Sequence, residues 1–530
     1  MQDSKFLGEE KIPKLMVKFC VPCVLSLLIS ALYNIVDQIF IGNSELGTLG
    51  NAATGVVFPI FIIAQAFAWW FGDGCAAYLN ICQGKGDTQN ANKAVGSGIT
   101  LTVIASLVLI AVFMPLKRQM LTLFGASKDS IGYAVEYFVI ILSFFPIYMA
   151  SNMINAVVRA DGSPSWSMAS MLAGALVNIA LDPLFIFAFK WGMKGAAWAT
   201  VIGQIVSFVI SVVYLLRTKT FKLKLKSFIP NFKVFGKSIQ LGLSSFITQM
   251  TIVVISLVCN ILLAKYGAQS HYGQDIPIAL IGIESKVYTV VINIVVGIVL
   301  GCQPIIGYNM GAQKFDRVKK LYLNILLCTV VVSAIALILF EAAPKAVVSI
   351  FGSPKDVDPD AYWEFATKLF RIFLSLVVFT CTIKMSSIFF QAIGKPIHAV
   401  VASLIRDIVC FIPLINILPL FYGVEGILYA APIADAISIV VVVVLTLYIF
   451  KKVINPKNLP QFDASTVGAE SAVAQGLIAD ENASAPQGVS ELATEEVPVG
   501  VSEAQSDFDA EQGETLSAAD DPQPADETNL

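Results

Sequence analysis

The chain has 530 residues, 56% of them hydrophobic and only 14% charged, with a mean hydropathy of +0.75. Soluble domains carry about 25% charged residues, so this composition excludes a water-soluble protein as the main body of the chain. The formal charge of −3 hides two unlike regions: sixteen Asp and Glu and no Lys or Arg lie from Gln461 to Leu530, which leaves +13 on the rest.

Apolar stretches long enough to cross roughly 30 Å of hydrocarbon recur from Leu15 to about Phe450. They predict about twelve transmembrane helices, at 14–41, 52–82, 93–116, 131–158, 166–189, 194–216, 235–264, 278–308, 317–341, 362–391, 397–420 and 424–450. The first run continues past signal-peptide length and lacks a small-residue cleavage site, so no cleavable leader is expected. An even number of spans puts both termini on one side, and the Lys/Arg bias makes that side the cytosol. Lys5, Lys11, Lys14, Lys85, Lys93, Arg159, the basic run from Arg217 to Lys237, Lys314, Arg317, Lys319, Lys320, Lys395, Lys451 and Lys452 lie there, against far fewer on the opposite loops. The expected location is the cell membrane, multi-pass, with membrane lipids as neighbours and no nucleic-acid partner. The acidic tail, rich in Ala, Ser, Gln and Pro, cannot bury enough apolar surface to offset its chain entropy and is expected to be disordered. The nine Cys lack paired extracellular spacing and read as small buried hydrophobes.

The chain repeats itself. Gly55, Gly74 and Gly84 fall at the same offset from Gly282, Gly301 and Gly311, Ala160-Asp161-Gly162-Ser163-Pro164 recurs as Ala392-Ile393-Gly394-Lys395-Pro396, and WGMKGAAWAT recurs as YGVEGILYAA. Each half holds six spans, so the halves should be parallel repeats about an axis along the membrane normal. The expected organisation is an all-α membrane protein of two pseudo-symmetric six-helix lobes, residues 1–216 and 235–452, joined by a basic cytosolic linker at 217–234 and followed by a disordered tail at 453–530. Two like bundles flanking a cleft suit alternating access.

Chemistry enters at the intramembrane charges. Asp37 and Asp182 lie within apolar spans, where a charge costs about 2.5–3.5 kcal/mol on insertion scales, so such groups face a protein interior or a wet cavity. Tyr33 is four residues from Asp37, and Asn178 four from Asp182, so each pair shares a helical face. Thr200 lies in the next span. These five groups can converge in one pocket, where two carboxylates cannot both ionise cheaply and at least one is expected to hold a proton readily near neutral pH. Pro22, fifteen residues before Asp37, removes a backbone hydrogen bond and is expected to bend the first helix. In the second half, Glu284, Lys286, Lys384, Arg406 and Asp407 suggest buried ion pairs, which are more often structural. Asp73, in the GDG of the second span, is read as reaching the interface near a helix end. Phe58, Phe61, Trp69, Trp70, Phe144 and Phe145 would line a substrate cavity if they face inward.

Pro22, Tyr33, Asp37, Asn178, Asp182 and Thr200, with the loop QGKGDTQNANKA and the echo RADGSPS/QAIGKPI, resemble the multidrug and toxic compound extrusion family over roughly residues 8–452. Within it the sequence is most similar to bacterial drug-efflux members whose cation site lies in the amino-terminal lobe. The resemblance implies a V-shaped pair of lobes and antiport of small, amphipathic, often cationic organic compounds. Asp37 and Asp182 would then carry the coupling ion, H⁺ ahead of Na⁺, with Tyr33, Asn178 and Thr200 as partners and Pro22 as a hinge. No cofactor and a monomer are expected. The acids that some relatives place in the seventh and tenth helices for Na⁺ are missing; the nearby positions read Gln249 and Thr382, with Lys384 close by. A lipid-linked precursor flippase of the same superfamily is the alternative, although it would be expected to use a basic cavity. No phosphate-binding G-x-x-x-x-G-K-[ST] loop, HExxH or Asp-rich pair occurs, which argues against ATP-driven transport and against a membrane enzyme.

Overall fold

A computed structural model of the chain describes residues 2–273, 275–351 and 358–454. The acidic tail, and with it the expectation of disorder, lies outside the described residues apart from 453 and 454. The described residues are almost entirely helical, as a chain in hydrocarbon must be when every backbone N–H and C=O needs an internal partner.

The first half runs α1 (Ile12–Gly42), α2 (Gly47–Lys85), α3 (Thr88–Phe113), the short α4 (Lys117–Leu123), α5 (Ile131–Ser143), α6 (Phe145–Ala160), α7 (Pro164–Pro183) and α8 (Gly192–Leu215). The second runs α9 (Phe232–Gly267), α10 (Asp275–Gly311), α11 (Phe315–Ala342), the short α12 (Pro344–Ser349), α13 (Pro359–Lys368), α14 (Val377–Ala392), α15 (Pro396–Leu404), α16 (Ile412–Ile417), α17 (Pro419–Tyr422) and α18 (Val424–Lys452). Among the described residues ten helices are long and apolar enough to cross a membrane, and counting each of two bent pairs as one span gives twelve.

The bent pairs correct the sequence reading. Residues 131–158 and 362–391 each read as one helix, but α5 and α6 meet at 55°, and the α13 segment, extended by a π-helical turn through Phe373, meets α14 at 48°. In the first, Pro146 lacks the N–H that would continue the ladder and its ring crowds the preceding turn. In the second, the Ser375 hydroxyl donates to the Ile372 carbonyl at 2.8 Å, competing for a helical acceptor. At Pro22, by contrast, α1 stays helical, and the Ser26 hydroxyl donates to the Pro22 carbonyl at 2.7 Å.

The two halves are tied by exchanged contacts. α1 lies along α10, and α2 along α9. The segment before α1 docks on the second half, where Asn309 of α10 donates to the Leu7 carbonyl at 2.9 Å and Arg317 of α11 to the Glu10 carbonyl at 2.6 Å. The segment before α9 docks likewise on α3, with Ser97 accepting from the Asn231 N–H at 3.0 Å and Asn92 from the Lys222 N–H at 2.9 Å. Each pairing has its counterpart with the halves swapped, as a two-fold relation requires. The repeated glycines Gly84 and Gly311 meet each other: a Cβ on Gly84 would stand 2.2 Å from the Tyr308 carbonyl, and one on Gly311 would stand 2.3 Å from the Ile81 carbonyl. Equivalent residues touch only where the relating axis passes.

Candidate cation and substrate site

The first-half site is assembled by α1, α7 and α8. α7 and α8 approach backbone to backbone at Gly174 and Gly203, where a Cβ on either would stand 2.6 Å from the other's carbonyl oxygen. A serine cluster extends the seam: Ser170 donates to the Ser207 carbonyl at 2.8 Å and lies 2.8 Å from the Ser211 hydroxyl. Small residues and short hydroxyls let membrane helices pack this closely. Asn178 is one turn beyond Gly174, and Thr200 almost one turn before Gly203, so the close approach turns both into the same space. α1 packs along α7 and brings Asp37 to Asp182.

Asp37, Asn178, Asp182 and Thr200 are all buried. The Asp37 and Asp182 carboxyls are near enough to influence each other's ionisation, and the Asn178 amide donates to Asp182 Oδ1 at 3.4 Å. Asp37 Oδ1, Asp182 Oδ2 and Asn178 Oδ1 remain buried without a hydrogen-bond partner among the described residues. Three orphan oxygens around two adjacent carboxyls make this a candidate cation seat, because burying such groups unmet is costly. Tyr137 of α5 lies near this group, beside Thr200 and within the electrostatic reach of both carboxyls. The sequence reading omitted it, since Tyr133, Glu136 and Tyr148 share its span and nothing in the pattern singled it out.

Beside this seat lies a cavity of about 820 Å³, lined from both halves of the chain. Tyr33, Asn178 and Thr200 are on its wall, whereas Asp37 and Asp182 are not among its lining residues. The acid pair therefore sits behind the wall. Phe58, Phe61 and Trp69 face the cavity. Trp70 instead donates to the Ile239 carbonyl at 2.9 Å, and Phe145 is core. Asp73 also lines the cavity: rather than reaching the interface it is buried, accepting from the Ser245 hydroxyl at 2.9 Å, with Arg159 at 3.8 Å.

The family model described as MatE matches residues 22–184 and 244–417, one block in each half. The chain belongs to the MatE family. Among its relatives, the multidrug export protein MepA of Staphylococcus aureus is 24% identical over 440 residues, covering 82% of this chain and 94% of that one. The fold matches a MATE crystal structure in complex with MaL6 at a TM-score of 0.78 and 20% identity, covering 85% of this chain and 99% of the other. It also matches the MATE multidrug transporter DinF-BH at a TM-score of 0.76 and 28% identity, covering 83% of this chain and 96% of that one. The chain is a multi-pass membrane protein of the transporter type.

The second half of this MatE protein carries a separate ionic cluster on the same cavity. Lys384 of α14 donates to Asp407 at 2.6 Å, and Arg406 donates to Asp407 and to Asp435 of α18 at 2.9 Å each. Thr380 completes Asp435 at 2.6 Å. Arg406 and Asp407 sit in a π-helical turn, Ile405–Phe411. Of the five residues expected in buried ion pairs, Lys384, Arg406 and Asp407 form them; Glu284 is buried but in no ion pair among the described residues, Lys286 is exposed, and Asp435 was missed. Gln249 donates to Gln65 across the halves at 3.3 Å. All nine cysteines are free, eight of them buried.

Proposed function

We propose that this protein is a cation-coupled antiporter that exports small amphipathic, often cationic organic compounds from the cell by alternating access. The observation that carries the reading is the Asp37–Asp182 pair, contributed by two helices and set behind the cavity wall with unmet oxygens. A coupling ion bound there changes the contact between α1 and α7 without occupying the space of the cargo. The MepA relative is a multidrug export protein, which supports drugs as that cargo.

A proton suits the seat better than Na⁺, since one proton between the carboxyls removes the like-charge conflict, whereas Na⁺ would need oxygens beyond the three orphans. Moving one elementary charge through 100 mV supplies about 2.3 kcal/mol, a substrate gradient of roughly fifty-fold. In this reading one proton taken up from outside lowers the charge of the pair from −2 to −1, the first helix repacks, the drug leaves outward, and the return step releases the proton inside. The protein works as a monomer in the cell membrane, with both termini cytosolic, lipid around it and no cofactor. Lys384 and Arg406 on the cavity wall would favour the flippase alternative, which needs basic groups for pyrophosphate, were they not already neutralised by Asp407 and Asp435.

The deciding experiment is efflux from drug-sensitive cells expressing wild type, Asp37→Asn and Asp182→Asn, with proton release on drug binding measured on purified protein with and without Na⁺. Loss of efflux in both variants, and Na⁺-independent proton release from wild type alone, is the expected pattern. Full export by a variant lacking both acids refutes it.

A further inference from the structure

The acid pair's position behind the wall raises the question of which group meets the positive charge of a cationic substrate. Three carboxylates line the cavity itself: Asp73, Glu284 and Asp407. Asp73 is engaged by Ser245 and Arg159. Asp407 holds two cations at once, Lys384 and Arg406, and Arg406 is shared with Asp435. Two cations and two carboxylates make that quartet neutral. Glu284 of α10 is 4% exposed, and no described Lys or Arg forms an ion pair with it. Its hydrogen bond is a long one, 3.4 Å from the hydroxyl of its neighbour Ser285. The cation whose field reaches it is Arg406, already committed to the quartet.

We propose that Glu284 is the residue that reads the charge of the substrate, pairing with the cationic centre of an amphipathic compound held in the cavity, while Asp37 and Asp182 handle the coupling ion alone. The inference rests on the antiport reading and deepens it by dividing labour between the halves. A buried carboxylate without a counter-ion is costly in the empty cavity, and a bound organic cation relieves that cost while a neutral compound of the same shape does not. Around Glu284, Tyr288 on the next turn, with Ile281 and Cys259 on the same wall, offers the apolar and aromatic surface such a cation also needs. Selectivity for cations is then a property of one side chain of α10, separable from energy coupling.

The test is ligand binding to the purified full chain, followed by fluorescence, with two probes of one ring system: ethidium, a permanent monocation, and its uncharged parent, 3,8-diamino-6-phenylphenanthridine. Wild type is expected to prefer ethidium by about tenfold or more, which is one pairing's worth of affinity. Glu284→Gln should lose that preference while binding the neutral parent as wild type does, which also certifies its fold, and Glu284→Asp should keep part of it. The proposal is overturned if wild type shows no preference, if Glu284→Gln retains it, or if Glu284→Gln weakens both probes alike. Efflux by Asp37→Asn reports on the other half of the reading: its survival defeats coupling at the acid pair and leaves the probe comparison standing, while its loss alongside an unchanged preference in Glu284→Gln defeats only the present proposal.

Discussion

Replacing Gly203 by Ala tests the seam that aims the first-half site. The new methyl carbon would stand 2.6 Å from the Gly174 carbonyl oxygen and 3.1 Å from the Asn178 Cβ, against 3.4 Å or more in ordinary contact. Relief needs about 0.8 Å of separation, and the atom in the way is backbone, which cannot rotate aside. α7 and α8 must part, at an overpacking cost of about 1–3 kcal/mol. The displacement falls on Asn178 and Thr200, so transport should drop by more than the lost stability explains. Gly55→Ala is the control: it lies in α2 with nothing within 4 Å of the added methyl, and Ala is the better helix former by about 1 kcal/mol. Thermal unfolding in detergent together with efflux assays reads both. A Gly203→Ala protein as stable and active as Gly55→Ala would show that α7 and α8 do not meet as described.

Arg406→Met should destabilise the protein by about 3–5 kcal/mol, because it strands Asp435 in the membrane with only Thr380; adding Asp435→Leu should recover most of the loss in thermal unfolding, and no recovery would refute the pairing. Outside the membrane, Asp161 accepts from Tyr214 at 2.8 Å, from the Lys219 and Thr220 N–H groups at 2.8 and 2.9 Å, and from the Thr220 hydroxyl. Burial nevertheless outweighs these bonds and raises its carboxyl above the usual range. The folded state then binds this proton more tightly than the unfolded chain, so its contribution to stability is fullest at acid pH and declines as pH rises through the folded pKa. Asp161→Asn should flatten that slope in pH-dependent melts, and an unchanged slope would assign it elsewhere. Cys20 of α1 and Cys302 of α10 have their sulfurs 3.4 Å apart, so copper-phenanthroline oxidation should join them, as read by mass spectrometry, and leave transport intact, because this end of α1 stays on α10; transport lost on oxidation in wild type but not in Cys20→Ser would mean that these helices must part.

How much could be read beforehand differs by kind of feature. The spans were legible because eighteen or more apolar residues have few other uses, and Asp37 and Asp182 because a charge inside one is conspicuous. Asp435 carried that same signal in the last span and was passed over, since its partner Arg406 lies 29 residues away on another element. The break at Pro146 was equally visible, but Pro also occurs in unbroken helices, as α1 shows at Pro22, so the residue alone does not decide. That Asp37 and Asp182 do not line the cavity while Asn178 and Thr200 do was not legible at all. It depends on helix rotation, which the Gly174–Gly203 contact sets and no periodicity in a helix apolar on every side reveals.

α1 explains why the ion seat can lie apart from the cargo and still govern it. Near its start the helix is locked to the opposite half, where Cβ atoms on Gly297 and Gly301 of α10 would come within 2.7 Å of the Val24 and Cys20 Cα atoms. Thirteen residues beyond Val24, about 20 Å at the helical rise, the same helix presents Asp37 to Asp182 of its own half. Any change in the attraction between those two carboxyls pulls on a rod whose other end is fixed to the second half. Pro22 lies between the two α10 contacts, where a missing hydrogen bond makes bending cheapest. On the proposed reading, loading the acid pair therefore shifts the halves against each other through a single continuous element. Glu284, on the same α10 that grips the start of α1, moves relative to the first-half wall when that happens, so the substrate's counter-charge is withdrawn or presented by the step that moves the ion.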